Sequence, residues 1–437
     1  MTTPQISSAE PTFLQSDRTL AKAVRPFVRF SHVEAAGGIV LVIATVVALV
    51  WANSPWKAGY ASLWSTNVRF EFGSYVFEED LSHVVNDMLM ALFFFVVGME
   101  IKRELVTGEL RDRRAVALPA MAALGGMVVP AAIYLAFNAG GAGSDGWGIP
   151  MATDIAFALG VVALLGSRVP PAVKVLLLTV AIIDDIGAIL VIAIFYTDRL
   201  EFNFVVAALA IAACVAVMHR MRIVYPPLLA IAGFALWLAV FESGIHATIA
   251  GVVMGLLTPA RPLQSGLEAE EIVDVLQDGD DIRAEEVRAT ATLIRDSVSA
   301  CDRLIDALHP WTSYLIVPIF ALANAGIVLS VDALMSPSAV LGGVAVALVA
   351  GKFIGVTLFS WVAVRFGFGR LPDQVRWAHI MGVGAVAGIG FTVSLFITGL
   401  AFSDVAIQAD AKIGILAASI IAAIAGTTFL AVAARKP

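Results

Sequence analysis

The chain has 437 residues, 59% of them hydrophobic and only 14% charged, with a net charge of −7. A soluble domain carries roughly 25% charged residues, so this composition implies an all-α polytopic membrane protein. The negative balance, and the absence of basic stretches interleaved with aromatic residues, excludes a nucleic-acid partner.

In chain order, residues 1–31 read as a polar cytoplasmic tail with no cleaved leader. Apolar runs of about 20 residues suffice to cross a hydrocarbon core of about 30 Å. Span 1 is expected over 35–52, followed by an outer loop, 54–80, that carries a short hairpin (WSTNVRFEFGSYVFEED). Spans 2, 3 and 4 are expected over 83–101, 116–137 and from about 149 onwards, and span 5 over 175–195. Spans 6, 7 and 8 follow at 204–218, 226–241 and 245–257. The segment 258–308 is a hydrophilic, acidic loop with amphipathic helical patterning. Spans 9 to 12 are expected at 311–329, 340–364, 377–402 and 413–433. The chain thus divides into a tail, a first membrane portion (32–257), the acidic loop and a second membrane portion (309–434).

Twelve spans place both ends on one side. Arg18, Arg25, Arg29, Lys102, Arg103, Arg111, Arg113, Arg114, Arg168, Lys174, Arg220, Arg222, Arg365, Arg370, Arg376, Arg435 and Lys436 all fall on that side. The positive-inside rule makes it cytoplasmic. Cys214 lies in span 6 and Cys301 in the acidic loop, with neither metal-ligand nor disulfide spacing.

Span 5 reads VLLLTVAIIDDIGAILVIAIF, with Asp184 and Asp185 near its centre. A carboxylate at that depth costs roughly 3 kcal/mol on insertion scales. Neighbouring helix residues point about 100° apart, so the two acids occupy different environments. The pair reads as an ion site.

Span 4 (GIPMATDIAFALGVVALLG) places Thr153 and Asp154 just after Pro150. Proline and threonine both disturb a helix. Asp154 then either joins freed carbonyls as a ligand for a hard cation or caps a half-helix. In span 11 (GVGAVAGIGFTVSLF), Gly382, Gly384, Gly388 and Gly390 serve either close packing or an unwound segment. Spans 3–5 and 10–12 are triplets of opposite orientation, hence an inverted repeat, and spans 4 and 11 are their interrupted middle members. Lys352 in span 10 needs a counter-ion, with Asp184 and Asp185 the nearest candidates. It forms either an ion pair that exchanges with a cation or a permanent structural one.

Asp87 in span 2 is an unplaced intramembrane acid, either a relay or a cap. Glu100, Lys102, Arg103 and Glu104 form a mixed cluster at the cytoplasmic end of span 2 that pairs locally or lines a funnel. His246 starts span 8 on the outer side and titrates in a useful range. Asn324 in span 9 is a candidate interhelical hydrogen bonder.

Three functions fit such features: cation/proton exchange at the central carboxylates, a proton- or Na⁺-coupled carrier of an organic solute, or an intramembrane aspartyl protease. The protease needs aspartates on two helices and its usual GxGD, which is absent, and no Walker motif implies ATP. No cofactor or enzymatic activity is expected.

These residues together resemble the NhaA family of Na⁺/H⁺ antiporters, through VNDMLMALFFFVVGMEIKRELVTGEL, GWGIPMATDIAFALGVVALLGSRVP, LLTVAIIDDIGAI, ESGIHATIAGVV, LHPWTSYLIVPIFALANAG and GIGFTVSLFI. NhaA is itself one of the transporters behind the rule that paired interrupted spans mark a midplane ion site. The resemblance implies twelve helices with crossing breaks in spans 4 and 11. It implies that Asp184 and Asp185 bind Na⁺ or Li⁺ and exchange protons, with Asp185 the more direct ligand. Asp154 and Thr153 would balance the breaks, Lys352 would interact with Asp184, and Glu100, Arg103, Glu104 and His246 would shape the pH response. It further implies electrogenic exchange in a bacterial inner membrane, two protons for each Na⁺, and a homodimer contact at the 54–80 hairpin. The chain departs from the pattern at Ile305, where an acid beside Asp306 is expected, and in its long acidic loop.

Overall fold

The computed structural model describes residues 36–72, 75–197, 200–221, 223, 225–262, 297–328 and 337–435. The tail 1–31 and residues 263–296 of the acidic loop lie outside the described residues, as do Arg222 and Lys436. Helices dominate. Among the described residues, eight helices are long and apolar enough to cross a membrane, or up to ten if each of two bent pairs counts as one span, and two further apolar helices are shorter.

Helix α1 (Ala36–Ala52) is followed by α2 (Lys57–Trp64), a short helix in the segment expected to be a loop. Tyr60 explains it: the hydroxyl lies 2.8 and 2.9 Å from the carbonyls of Leu322 and Ala323, pinning α2 to the end of a distant helix. Strands β1 (Asn67–Phe72) and β2 (Tyr75–Asp80) pair antiparallel, Asn67 opposite Asp80. Helix α3 (Leu81–Val106) includes a π-turn at Val85–Leu89 around Asp87, and α4 (Arg113–Asn138) follows.

The first interruption falls where Pro150 and Thr153 suggested, but its first half is not α-helical. Ser144–Met151 is a 3₁₀-helix, Ala152–Asp154 are irregular, and α5 (Ile155–Ala163) resumes. Helix α6 (Pro171–Phe195) begins with proline at its first position, where the missing N–H costs nothing. Then come α7 (Phe202–Arg220), α8 (Pro226–Glu242) and the short α9 (Thr248–Leu257).

Helix α10 (Ala300–Asn324) starts well before the expected position of span 9. The sequence places residues 300–308 at the end of the acidic loop, with amphipathic helical patterning. They form an amphipathic first section, capped by Ser299, with Cys301 and Ile305 buried against Val96 and Met99 of α3. Cys301 therefore belongs to a helix, and it donates to the Met99 carbonyl. The helix also stops at Asn324, short of the expected Leu329.

Helix α11 (Ala339–Arg365) carries a π-turn, Ala347–Gly351, directly before Lys352. The second interruption separates α12 (Trp377–Val386) from α13 (Phe391–Ala401) with a 46° bend. Helix α14 (Val405–Arg435) ends the described chain. The two interruptions touch: the Asp154 N–H donates to the Ile389 carbonyl at 2.7 Å. The main apolar core surrounds this crossing, drawing on Ile149, Ile189, Leu348, Phe391 and Phe396. Outward faces such as Ile39, Ile43, Val46 and Val50 of α1 are exposed and apolar, as suits a lipid-facing surface.

Candidate functional site

Interrupting a helix frees backbone groups that hydrocarbon cannot satisfy. The crossing supplies partners for them. Asp154 is the N-cap of α5, accepting from Phe157 N–H at 2.9 Å through Oδ1. Its Oδ2 accepts from the Thr392 N–H at 3.1 Å and the Thr392 hydroxyl at 2.7 Å, at the start of α13. One carboxylate thus caps two half-helices, whose N-termini carry partial positive charge.

The opposite pole belongs to Lys352. Its ammonium has three N–H donors, and all three are used: the Met151 carbonyl at 2.6 Å, Thr153 Oγ1 at 3.1 Å and Asp184 Oδ2 at 2.5 Å. The Met151 carbonyl is at the C-terminal end of the 3₁₀ half of the first interruption, where backbone dipoles leave negative charge. Thr153 Oγ1 also lies 2.9 Å from Asp184 Oδ2 and 3.0 Å from the Ala387 carbonyl, so its single hydrogen is shared between α6 and the second interruption.

Asp184 and Lys352 have no exposure, and Asp185 is only 4% exposed. Asp184 Oδ1 and Asp185 Oδ1 are buried, and no described residue donates to either. An unpaired carboxylate oxygen in such a place is costly unless a proton or a cation occupies it. The charged groups within electrostatic reach of Asp185 are Asp184, Asp154, Glu100 and Lys352. Oxygen ligands, acidic charge and dryness suit a hard monovalent cation or protons.

The other sequence-predicted residues are distributed around this centre. Glu100 lies on α3 within electrostatic reach of Asp185, whereas Arg103 and Glu104 are one turn further along the helix. Arg103 Nε is 4.0 Å from Glu104 Oε1, and Glu104 Oε2 accepts from the Glu109 N–H at 3.0 Å. Glu104, Glu109, Arg111 and Asp112 line an open cavity of about 570 Å³ there. His246 stands before α9, half-buried, its carbonyl accepting from Ile249 N–H at 3.0 Å. Asp87 sits in the π-turn of α3, its carbonyl accepting from Trp237 Nε1 at 3.4 Å, with His83 and Glu79 as charged neighbours. Asn324 donates to Asn86 Oδ1 at 2.8 Å, joining α10 to that same turn.

Sequence reasoning missed Thr392, Ser394, Tyr134 and Tyr196. Ser394 donates to the Ile149 carbonyl at 2.7 Å, and Tyr134 to the Gly143 carbonyl at 2.7 Å. The one available signal was a hydroxyl residue beside a glycine-rich interruption, as in GIGFTVS.

Residues 28–430 match the family model described as Na⁺/H⁺ antiporter 1. A protein described as the Na⁺/H⁺ antiporter NhaA of Rhodopirellula baltica is 47% identical over 425 residues, covering 95% of each chain. Na⁺/H⁺ antiporter NhaA 3 of Frankia alni is 48% identical over 416 residues, covering 94% of this chain and 90% of that one. The Na⁺/H⁺ antiporter NhaA of Oleidesulfovibrio alaskensis is 45% identical over 436 residues, covering 95% of each. The family model and the relatives extend over nearly the whole chain, and the chain belongs to the Na⁺/H⁺ antiporter 1 family.

Proposed function

We propose that this protein exchanges Na⁺ or Li⁺ for protons at Asp184 and Asp185, exporting the metal ion electrogenically across a bacterial inner membrane. The observation that carries the reading is the pair of buried carboxylate oxygens without donors, Asp184 Oδ1 and Asp185 Oδ1, beside the Lys352 ammonium. A cation that ligates Asp185 and Asp184 competes with Lys352 for Asp184. Displaced, Lys352 keeps only the Met151 carbonyl and Thr153 hydroxyl. A buried ammonium without a counter-charge is strongly disfavoured, so it gives up its proton. Asp185 releases a second proton as the metal ion takes its place, and both protons leave to the water on the side to which the site is open, which accounts for two protons per cation. Opening toward the other face then reverses both steps.

Asp154 and Thr153 hold the crossing, and Glu100, Arg103, Glu104 and His246 modulate how the site senses pH. Glu100 is the group among these that lies closest to the ion path. Asn324 braces α3 against α10, and the Asp87 turn meets Trp237 of α8, both on the outer side. Twelve spans follow if the long helices, the bent pairs and the short α8 and α9 all cross, with spans 3–5 and 10–12 as inverted repeats around the midplane. Arginine-rich ends then put both termini in the cytoplasm. The β1–β2 hairpin offers paired strands at the surface for contact with a second copy.

The test is Na⁺-driven proton efflux from dye-loaded proteoliposomes across neutral and alkaline pH, parent against Asp185→Asn. Dequenching in the parent that is lost in the variant supports exchange at this site. Undiminished exchange in the variant removes Asp185 from the mechanism.

A further inference from the structure

The Ser144–Met151 segment is a 3₁₀-helix of eight residues. Such helices rarely exceed three or four residues, because their hydrogen bonds are poorly aligned. This one is held from outside. Its carbonyls, or the one just before it, are gripped by Tyr134 at Gly143, Tyr196 at Asp145, Ser394 at Ile149 and Lys352 at Met151. Three of these grips are single bonds. Tyr196 is different: its hydroxyl donates to the Asp145 carbonyl at 2.6 Å and accepts from the Gly148 N–H at 3.2 Å. Those two groups, three residues apart, are the acceptor and donor that one 3₁₀ turn pairs with each other. The hydroxyl therefore services a complete backbone turn. Beside it, Trp147 and Phe195 meet edge to face at 5.0 Å.

Tyr196 is the C-cap of α6, the helix that carries Asp184 and Asp185. It ties the outer end of that helix to the outer half of the first interruption. If it withdraws, Asp145 C=O and Gly148 N–H still have each other as partners within the 3₁₀ turn, so neither is stranded. That makes release cheap, while a bond such as Ser394 to Ile149 leaves an orphan when broken. Resting on the exchange function above, we propose that Tyr196 is the outer latch of the transport cycle, a positioning residue that holds the site closed on its outer side and lets go for the outward-open state. Its influence on the ion runs through the 3₁₀ segment, whose inner end is the Met151 carbonyl on Lys352.

Ile149 lies on the latched segment with no exposure. With Cys214→Ser and Cys301→Ser as background, Ile149→Cys reports on opening through its labelling by a membrane-impermeant maleimide added from outside. Tyr196→Phe should raise that rate about fivefold, the population change that one net hydrogen bond commands. Gly148→Ala is a second route, because a methyl there would stand 2.8 Å from the Tyr196 hydroxyl and push it away. Both variants should raise the apparent KM for Na⁺ presented from the cytoplasm and lower it for Na⁺ presented outside, since the inward-open population shrinks. A merely structural tyrosine would alter kcat or yield without that sidedness. Unchanged labelling in both variants overturns the latch. So does faster labelling accompanied by a lowered melting temperature, and so does a Tyr196→Phe chain that fails to fold, because re-pairing of the turn would then be false. Labelling changes in a parent that exchanges no Na⁺ would keep the latch and sink the proposed cargo instead.

Discussion

Lys352 Nζ stands 2.5 Å from Asp184 Oδ2, with neither side chain exposed at all. Removing one partner of such a pair strands the other charge, typically at 3–5 kcal/mol, whereas replacing both with apolar or neutral groups is often harmless. Lys352→Met should therefore lower the melting temperature in detergent sharply, by about 3–5 kcal/mol of stability. Adding Asp184→Asn should recover most of the loss. A double variant as unstable as the single one would show that Lys352 acts mainly through Met151 and Thr153.

Asp154 makes a different kind of demand. It accepts from Phe157 and from Thr392, so Asp154→Ala orphans donors on two half-helices. Each stranded buried group costs about 1–3 kcal/mol. Asp154→Ala should be markedly less stable than Asp154→Asn, whose remaining oxygen still caps one helix, and Thr392→Val should fall between Asn and the parent. Thermal melts of the three variants give the order. If Ala and Asn are equally stable, the double cap is not what Asp154 contributes.

These two cases show which parts of the site could be read without a structure. A lysine or an aspartate within an apolar run is conspicuous because hydrocarbon penalises it. Asp184, Asp185, Asp154 and Lys352 stand out for that reason, as does the interruption of span 4 at Pro150 and Thr153. Thr392, Ser394 and Tyr196 do not, because hydroxyls are cheap in a span and their partners are side chains or backbone groups 48 to 245 residues away. Nor does composition reveal a 3₁₀ half-helix, whose stability comes from the side chains that grip it. The patterning of 258–308 pointed to amphipathic helix, and what it did not place is the junction at which that helix runs on into span 9, because an amphipathic helix and a hydrophilic loop share a composition. What separates them is the apolar spacing of Cys301 and Ile305 against Val96 and Met99.

The packing that presents Lys352 depends on two glycines. A Cβ at Gly355 of α11 would run into the Gly125 carbonyl oxygen of α4, and a Cβ at Gly125 into the Gly355 carbonyl oxygen. Both obstacles are backbone, which cannot swing aside. Overpacking of this kind costs about 1–3 kcal/mol. Gly355→Ala should lose that much stability and also weaken Na⁺ binding, because Lys352 is one turn away on the same helix. Na⁺ isotherms beside thermal melts would check it. A variant with normal affinity would show that the crossing can shift without moving the ammonium.

The last prediction concerns pH. If each bound cation displaces protons from the same centre, mass action makes its apparent Kd rise as pH falls, by about tenfold per pH unit for every proton displaced. Two exchanging groups, Asp185 and the Asp184–Lys352 pair, give a slope approaching two in log Kd against pH. The sign follows from competition alone: acid favours the protonated site and weakens the metal ion, and alkali does the reverse. Asp184→Asn with Lys352→Met removes one of the two protons and leaves Asp185 as the acidic ligand. Its slope should fall toward one, with weaker binding throughout. The measurement is radioactive Na⁺ binding to purified protein at a series of pH values, which needs no transport. A slope of two that survives the double change would place the second proton elsewhere, with Glu100, the remaining uncommitted acid within reach of Asp185, the first residue to replace.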